Sequence, residues 1–211
     1  MTQSVTHRLV GATALFVLAC SVGLSADFWE TRPFTDWSDK ELQKLTSDSP
    51  WSRKVTVVLD TRGRPGGLAS TPSTLTLTIS WRSALPMKQA LVRNQVGLDR
   101  PIPPASQLIL ERQEEFYVVS LSGLPMAYSR ATGSLKNEEA FLQRAHGAPI
   151  SPSSTIIEPL KDTVILLFAF PRTDSITLKD REVEFVARLG QIVIRQKFNL
   201  KSMVFHGELE L

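Results

Sequence analysis

Reactive and metal-binding side chains are scarce in this sequence. It holds one cysteine, Cys20, and three histidines, His7, His146 and His206, in 211 residues. One cysteine excludes an intrachain disulfide framework. His146 and His206 are far apart in the chain, and neither stands in a zinc-type spacing such as H-E-x-x-H. The G-x-S-x-G elbow of serine hydrolases is missing, as is the glycine fingerprint of dinucleotide sites. Charge of one sign is also lacking, because 24 basic residues face 21 acidic ones for a net charge of +3. Without a run of Lys and Arg interleaved with aromatics, nucleic acid is not an expected partner. No residue is therefore nominated as catalytic, cofactor-binding or metal-binding, and no cofactor is expected.

Long apolar runs are equally rare, and the clearest lies near the start. His7-Arg8 precedes Leu9 to Cys20, and Ser21 to Ala26 is small and mildly polar. The run is shorter than the roughly 20 apolar residues a spanning helix needs. Residues 1–26 therefore read as a cleaved export signal, cut after Ala26 or Ser25. Periplasmic or extracellular residence follows, with no transmembrane span in the mature chain. A competing reading takes Val17-Leu18-Ala19-Cys20 as a bacterial lipobox, which would anchor a lipoprotein through Cys20. The bulk of Leu18 weighs against it.

Residues 27–53 form an aromatic-rich, helical N-terminal arm. Three of the four tryptophans, Trp29, Trp37 and Trp51, lie there beside Phe28 and Phe34. Ser38-Asp39-Lys40-Glu41 is a capping box, and Trp37 and Leu42 are placed as a hydrophobic staple around it. Leu42 and Leu45 then share a face, and Asp48-Ser49-Pro50 ends the helix. An exposed aromatic cluster would suit a glycan, a peptide or a partner protein of the envelope. Packing is the preferred reading, because aromatics bury the most area per residue and so short a helix must dock to persist.

Residues 54–211 read as a single β-rich domain. Lys54 to Asp60 is a strand, and Thr61 to Ser73 is a Gly/Pro-rich loop with no Lys-Ser/Thr to make it a phosphate cradle. In Thr74 to Arg82, Leu75, Leu77, Ile79 and Trp81 alternate with Thr and Ser, the mark of an antiparallel sheet with one wet face. Pro86 opens a helix that Gly97 stops. Gln107 to Arg112 is ambiguous between helix and strand. Phe116 to Ser122 is a strand closed by Gly123, and Leu135 to Arg144 is open between a helix and a segment that turns extended near Phe141. A short strand at Ile156-Ile157 ends before Pro159, and Val164 to Phe170 belongs in a sheet centre. Val183 to Ala187 and Gln191 to Phe198 form a hairpin turning at Leu189-Gly190. A last strand, Val204 to Leu211, points Phe205, Leu209 and Leu211 inward and His206 to solvent. Glu111, Glu114 and Glu115 read as a solvated face, and Lys179 to Glu182 as a turn.

Trp37-Ser38-Asp39-Lys40-Glu41, Ser49-Pro50-Trp51 and Trp81-Arg82-Ser83-Ala84-Leu85-Pro86 resemble segments of a set of uncharacterised exported bacterial proteins. Lys197 to Val204 and Gly207 to Leu211 are similar to the endings of that set. The resemblance implies export and no particular activity. The fold class expected is α+β, an antiparallel sheet or sandwich with a few short helices packed on it. The function expected is a non-catalytic binding or structural module of the bacterial envelope. The alternative is a hydrolase whose site is assembled from loops.

Overall fold

The computed structural model describes residues 27–59, 73–126, 140–190 and 192–211. The export segment with Cys20, the Gly/Pro loop at 61–72 and the start of the Leu135 segment lie outside the described residues.

The arm holds two short helices, α1 (Phe28–Thr31) and α2 (Asp39–Ser47), with a single 3-10 turn at Phe34–Asp36 between them. The helix start at Ser38 forms as its sequence dictates. The Glu41 carboxylate accepts from the Ser38 amide at 2.9 Å and from its hydroxyl at 2.7 Å, and Arg32 pairs with the same carboxylate. Trp37, Leu42 and Leu45 are buried on one side of α2.

Strands β1 (Ser52–Leu59) and β2 (Ser73–Trp81) pair as a hairpin, and α3 (Leu85–Val96) and α4 (Pro104–Glu111) follow. Pro86 is the second residue of α3, because Leu85 opens the helix; Gly97 ends it as expected. The ambiguous Gln107 segment lies in α4, whose amide of Arg112 still bonds back to Leu108. Next come β3 (Phe116–Pro125), β4 (Ala140–Arg144), β5 (Ser154–Leu160) and β6 (Thr163–Pro171). The chain closes with β7 (Glu182–Leu189), β8 (Ile192–Asn199), and the two-residue strands β9 (Val204–Phe205) and β10 (Glu208–Leu209).

Among the described residues these strands build a five-stranded antiparallel sheet, β1-β2-β3-β6-β5, and a three-stranded one, β4-β7-β8. Their apolar faces stack. The rings of Phe168 and Phe185 are 5.5 Å apart across the gap, and those of Trp81 and Phe198 are 5.8 Å apart. The alternation read from β2 holds, with Leu77, Ile79 and Trp81 buried. The same alternation runs through β6, where Val164, Leu166, Phe168 and Phe170 turn inward.

Four sequence expectations need correction. Strand β3 does not stop at Gly123. It continues to Pro125 through a bulge between Leu121 and Leu124, and Gly123 takes a φ of +92° there. A Cβ at that place would stand 2.8 Å from the Thr76 carbonyl oxygen, so only glycine lets β2 and β3 approach. Strand β5 runs through Pro159, which an edge strand tolerates because no neighbour needs its amide. The β7–β8 hairpin pairs Leu189 with Ile192, which moves the turn one place on from Leu189-Gly190.

The fourth correction is the largest. Val204 to Leu211 is no strand of either main sheet but a small hairpin, β9 with β10. His206 and Gly207 both take positive φ, +48° and +87°, and turn the chain back on itself. Phe205 and Leu211 are buried as expected, while Leu209 is half-exposed. The hairpin plugs one end of the sandwich.

Candidate functional site

The tryptophan cluster offers no surface. Trp29, Trp37 and Trp51 are 4%, 2% and 0% exposed. They belong to a chain of edge-to-face contacts from Phe34 through Trp37, Phe28, Trp29 and Trp51 to Phe205, with centroids 4.8 to 6.3 Å apart. Such geometry is the favourable one for aromatic quadrupoles. The arm is thereby fastened to the C-terminal hairpin, and the Trp51 indole donates to the Glu210 carbonyl at 2.9 Å.

The two histidines and the nominal turn are equally unremarkable as sites. His146 is exposed in a loop. His206 is exposed, as expected, but in the β9–β10 turn, where its ring stacks on Phe205. Asp180 is buried and accepts from the Thr177 amide at 2.9 Å, capping the 3-10 turn at Leu178–Asp180. Among the described residues no group of three metal-ligating side chains is present.

What the fold does bring together is a polar cleft of about 380 Å³ at the end plugged by the hairpin. Four separate segments build it: the start of α3, the link from α4 into β3, the end of β6, and residues 208–211. On the α3 side, Lys88 is buried one turn into the helix, and its Nζ donates to the Arg112 carbonyl at 3.0 Å and to Glu114 Oε1 at 3.2 Å. Glu114 is therefore the partner of a buried cation, whereas Glu111 and Glu115 stay on the solvated face expected of all three.

Opposite stands Arg172. Its guanidinium lies over the Tyr117 ring at 4.3 Å and donates to the main-chain oxygen of Leu211, which at the last residue of this chain is a carboxylate oxygen. Tyr117 is itself held, because its hydroxyl accepts from the Ile176 amide at 2.9 Å and its ring meets Trp81 edge-on. Burial pulls the Arg172 guanidinium below the usual arginine value, while Tyr117, Glu210 and Glu114 draw it back. The contrast with Arg144 is informative. That buried arginine at the end of β4 has the Asp174 carboxylate as a partner. Arg172 has no Asp or Glu carboxylate within ion-pair distance among the described residues and is held instead by the main-chain oxygen of Leu211, while the buried Nε lacks an acceptor in both arginines.

The hairpin supplies the floor. Glu210 Oε2 accepts from the Leu85 amide at 2.9 Å, so a carboxylate sits at the N-terminus of α3, where the helix dipole favours it. Ser83, the hydroxyl in the lining, is engaged by the Val118 amide at 2.9 Å. No histidine lines the cleft. Chemically the arrangement is a set of fixed charges and hydrogen-bond donors, suited to orienting a polar ligand.

Lys88, Arg172 and Glu210 escaped the sequence reading for a clear reason. Each stands next to an apolar residue in a segment that reads well as plain helix or strand, and Leu85 and Glu210 are 125 residues apart. The one local signal was Lys88 itself, which follows Met87 and breaks the apolar side of α3. No protein-family model, no curated protein and no solved structure matches the chain.

Proposed function

We propose that this protein is an exported binding module of the bacterial envelope, and that the cleft between Lys88 and Arg172 is its recognition surface. One observation carries the second part. Arg172 is a partly desolvated cation, stacked on the Tyr117 ring and lining a cleft that also gathers Lys88, Glu114, Glu208 and Glu210 from separate segments. Charged side chains fixed in this way around a concave surface are placed to orient a polar ligand. The export reading rests on residues 7–26 of the sequence, with a basic start, an apolar run and small residues at the cut. Burial of Trp29, Trp37 and Trp51 directs the binding reading away from the aromatic arm and toward this cleft.

Native mass spectrometry of the protein recovered from its host's envelope tests both parts. The expected mass starts at Asp27 or Ala26 and carries a non-covalent small-molecule adduct that Arg172→Gln removes. A chain that retains residues 1–25 contradicts export, and a diacylglyceryl-modified Cys20 replaces soluble export with a lipid anchor. An adduct that persists in the Arg172 variant contradicts the placement of the site.

A further inference from the structure

The outer face of the five-stranded sheet carries a cation and an anion that the described residues leave unpaired. We infer that this face binds a second copy of the same chain about a two-fold axis, with Arg82 of each copy set on Glu158 of the other. The face is separate from the cleft, which neither Arg82 nor Glu158 lines.

The ladder register puts both charges on that face. In β6 the residues between the inward Val164, Leu166, Phe168 and Phe170 point out, among them Ile165 and Leu167. Glu158 pairs with Ile165 and Ile156 with Leu167, so these two residues of β5 point out as well. At the other side, the Arg82 amide donates to the Val118 carbonyl at 2.7 Å and extends the β2 ladder one place past Trp81. Trp81 points inward, so Arg82 points out. Burial pulls the Arg82 guanidinium below the usual arginine value, and Glu158 draws it back across the face. Yet the two form no ion pair, and neither side chain has a hydrogen-bond partner among the described residues.

The ground around them is apolar. Ile156 and Leu160 are 55% and 56% exposed, and Ile165, Leu167 and Val118 are half-buried. A contiguous apolar surface rimmed by charge is the mark of an interaction site. Pro159 takes an amide from the free edge of β5, which blocks strand-to-strand addition there. The partner therefore lies on the face and not along the edge. A second copy fits the charges. A two-fold axis lying in the face and bisecting the line from Arg82 to Glu158 exchanges the two positions. Each copy then offers its cation to the other's anion, the self-complementarity of an isologous contact. Strands β2, β3, β6 and β5 are neighbours in that order. At a spacing of about 4.8 Å and a length of about eight residues, they present on the order of 500 Å² per copy. That is below the ~800 Å² per partner of a standard interface, so association is expected at micromolar concentrations.

Sedimentation velocity of the purified full chain across the micromolar range tests this, with a reversible monomer–dimer equilibrium as the expected result. Arg82→Glu and Glu158→Arg each turn two attractive contacts per dimer into repulsive ones. Each should weaken association at least about a hundredfold. An equimolar mixture of the two variants restores both contacts and should form a dimer of one chain of each, although neither variant dimerises alone. Misfolded variants would not recover in this way. Ile156→Lys adds an arm at an exposed position. It should also abolish the dimer while leaving the melting temperature in place. A parent chain that stays monomeric throughout the range overturns the second copy as the occupant and assigns the face to an unlike partner. A dimer that both charge reversals leave intact, or a mixture that associates no better than its components, overturns the Arg82–Glu158 pairing.

Discussion

Replacing Trp51 with alanine is expected to lower the unfolding free energy by about 3–5 kcal/mol, the range for deleting a buried aromatic. Trp51 is fully buried at the junction of the arm, β1 and the C-terminal hairpin. Its loss opens a cavity between Trp29 and Phe205 and leaves the Glu210 carbonyl without its indole donor. Since domains of this kind are stable by only about 5–15 kcal/mol, the variant should sit close to its unfolding limit. Val58→Ala is the control, because Val58 is 65% exposed and such surface changes stay within about 0.5 kcal/mol. Urea titrations of both variants check the pair. A Trp51→Ala midpoint equal to that of Val58→Ala would show that the aromatic chain does not hold the arm.

Removing residues 204–211 should have a comparable or larger effect, although these residues extend neither main sheet. The deletion strips the buried side chains of Phe205 and Leu211, each contributing about 1.5–3 kcal/mol. It leaves the Trp51 indole N–H buried without an acceptor, a penalty of about 1–3 kcal/mol. It also takes the Glu210 carboxylate from the start of α3 and the main-chain oxygen of Leu211 from Arg172. With about 2–4 °C lost per kcal/mol in a chain of this size, the thermal transition should fall by 10 °C or more, or lose its cooperativity. A truncated protein that melts with the parent would mean the hairpin is only appended to the sandwich.

The two predictions share a physical origin, and it explains what the sequence could and could not disclose. Features set by neighbours in the chain were legible. The Ser38–Glu41 cap, the inward Leu77, Ile79 and Trp81, and the stop at Gly97 all appear where local chemistry puts them. The errors arise where a distant segment decides. Gly123 looks like a strand end until the Thr76 carbonyl is placed beside it, and Pro159 looks like a stop until β5 proves to be an edge. The ending of the chain misled through its alternation, because the turn at His206-Gly207 interrupts a pattern that otherwise has the period of a strand.

The candidate site was the least legible part, and again for a reason of distance. Trp51 and Glu210 are 159 residues apart, and Lys88 meets Glu114 only because α4 folds back beside α3. No spacing rule connects Arg172, at the end of an apolar strand, to Tyr117 on the neighbouring one. The aromatics, by contrast, were conspicuous in the sequence and turned out to be interior. Conspicuous side chains hold this protein together, and inconspicuous ones line its cleft.

That division is the central claim, and tryptophan fluorescence tests its structural half most directly. All four tryptophans, Trp29, Trp37, Trp51 and Trp81, are buried. Acrylamide should therefore quench the native emission far less than that of the urea-unfolded chain, with a single population and a blue-shifted maximum. A native fraction quenched as freely as the unfolded chain would place at least one tryptophan of the arm at the surface, and recognition would return from the Arg172 cleft to the aromatic cluster.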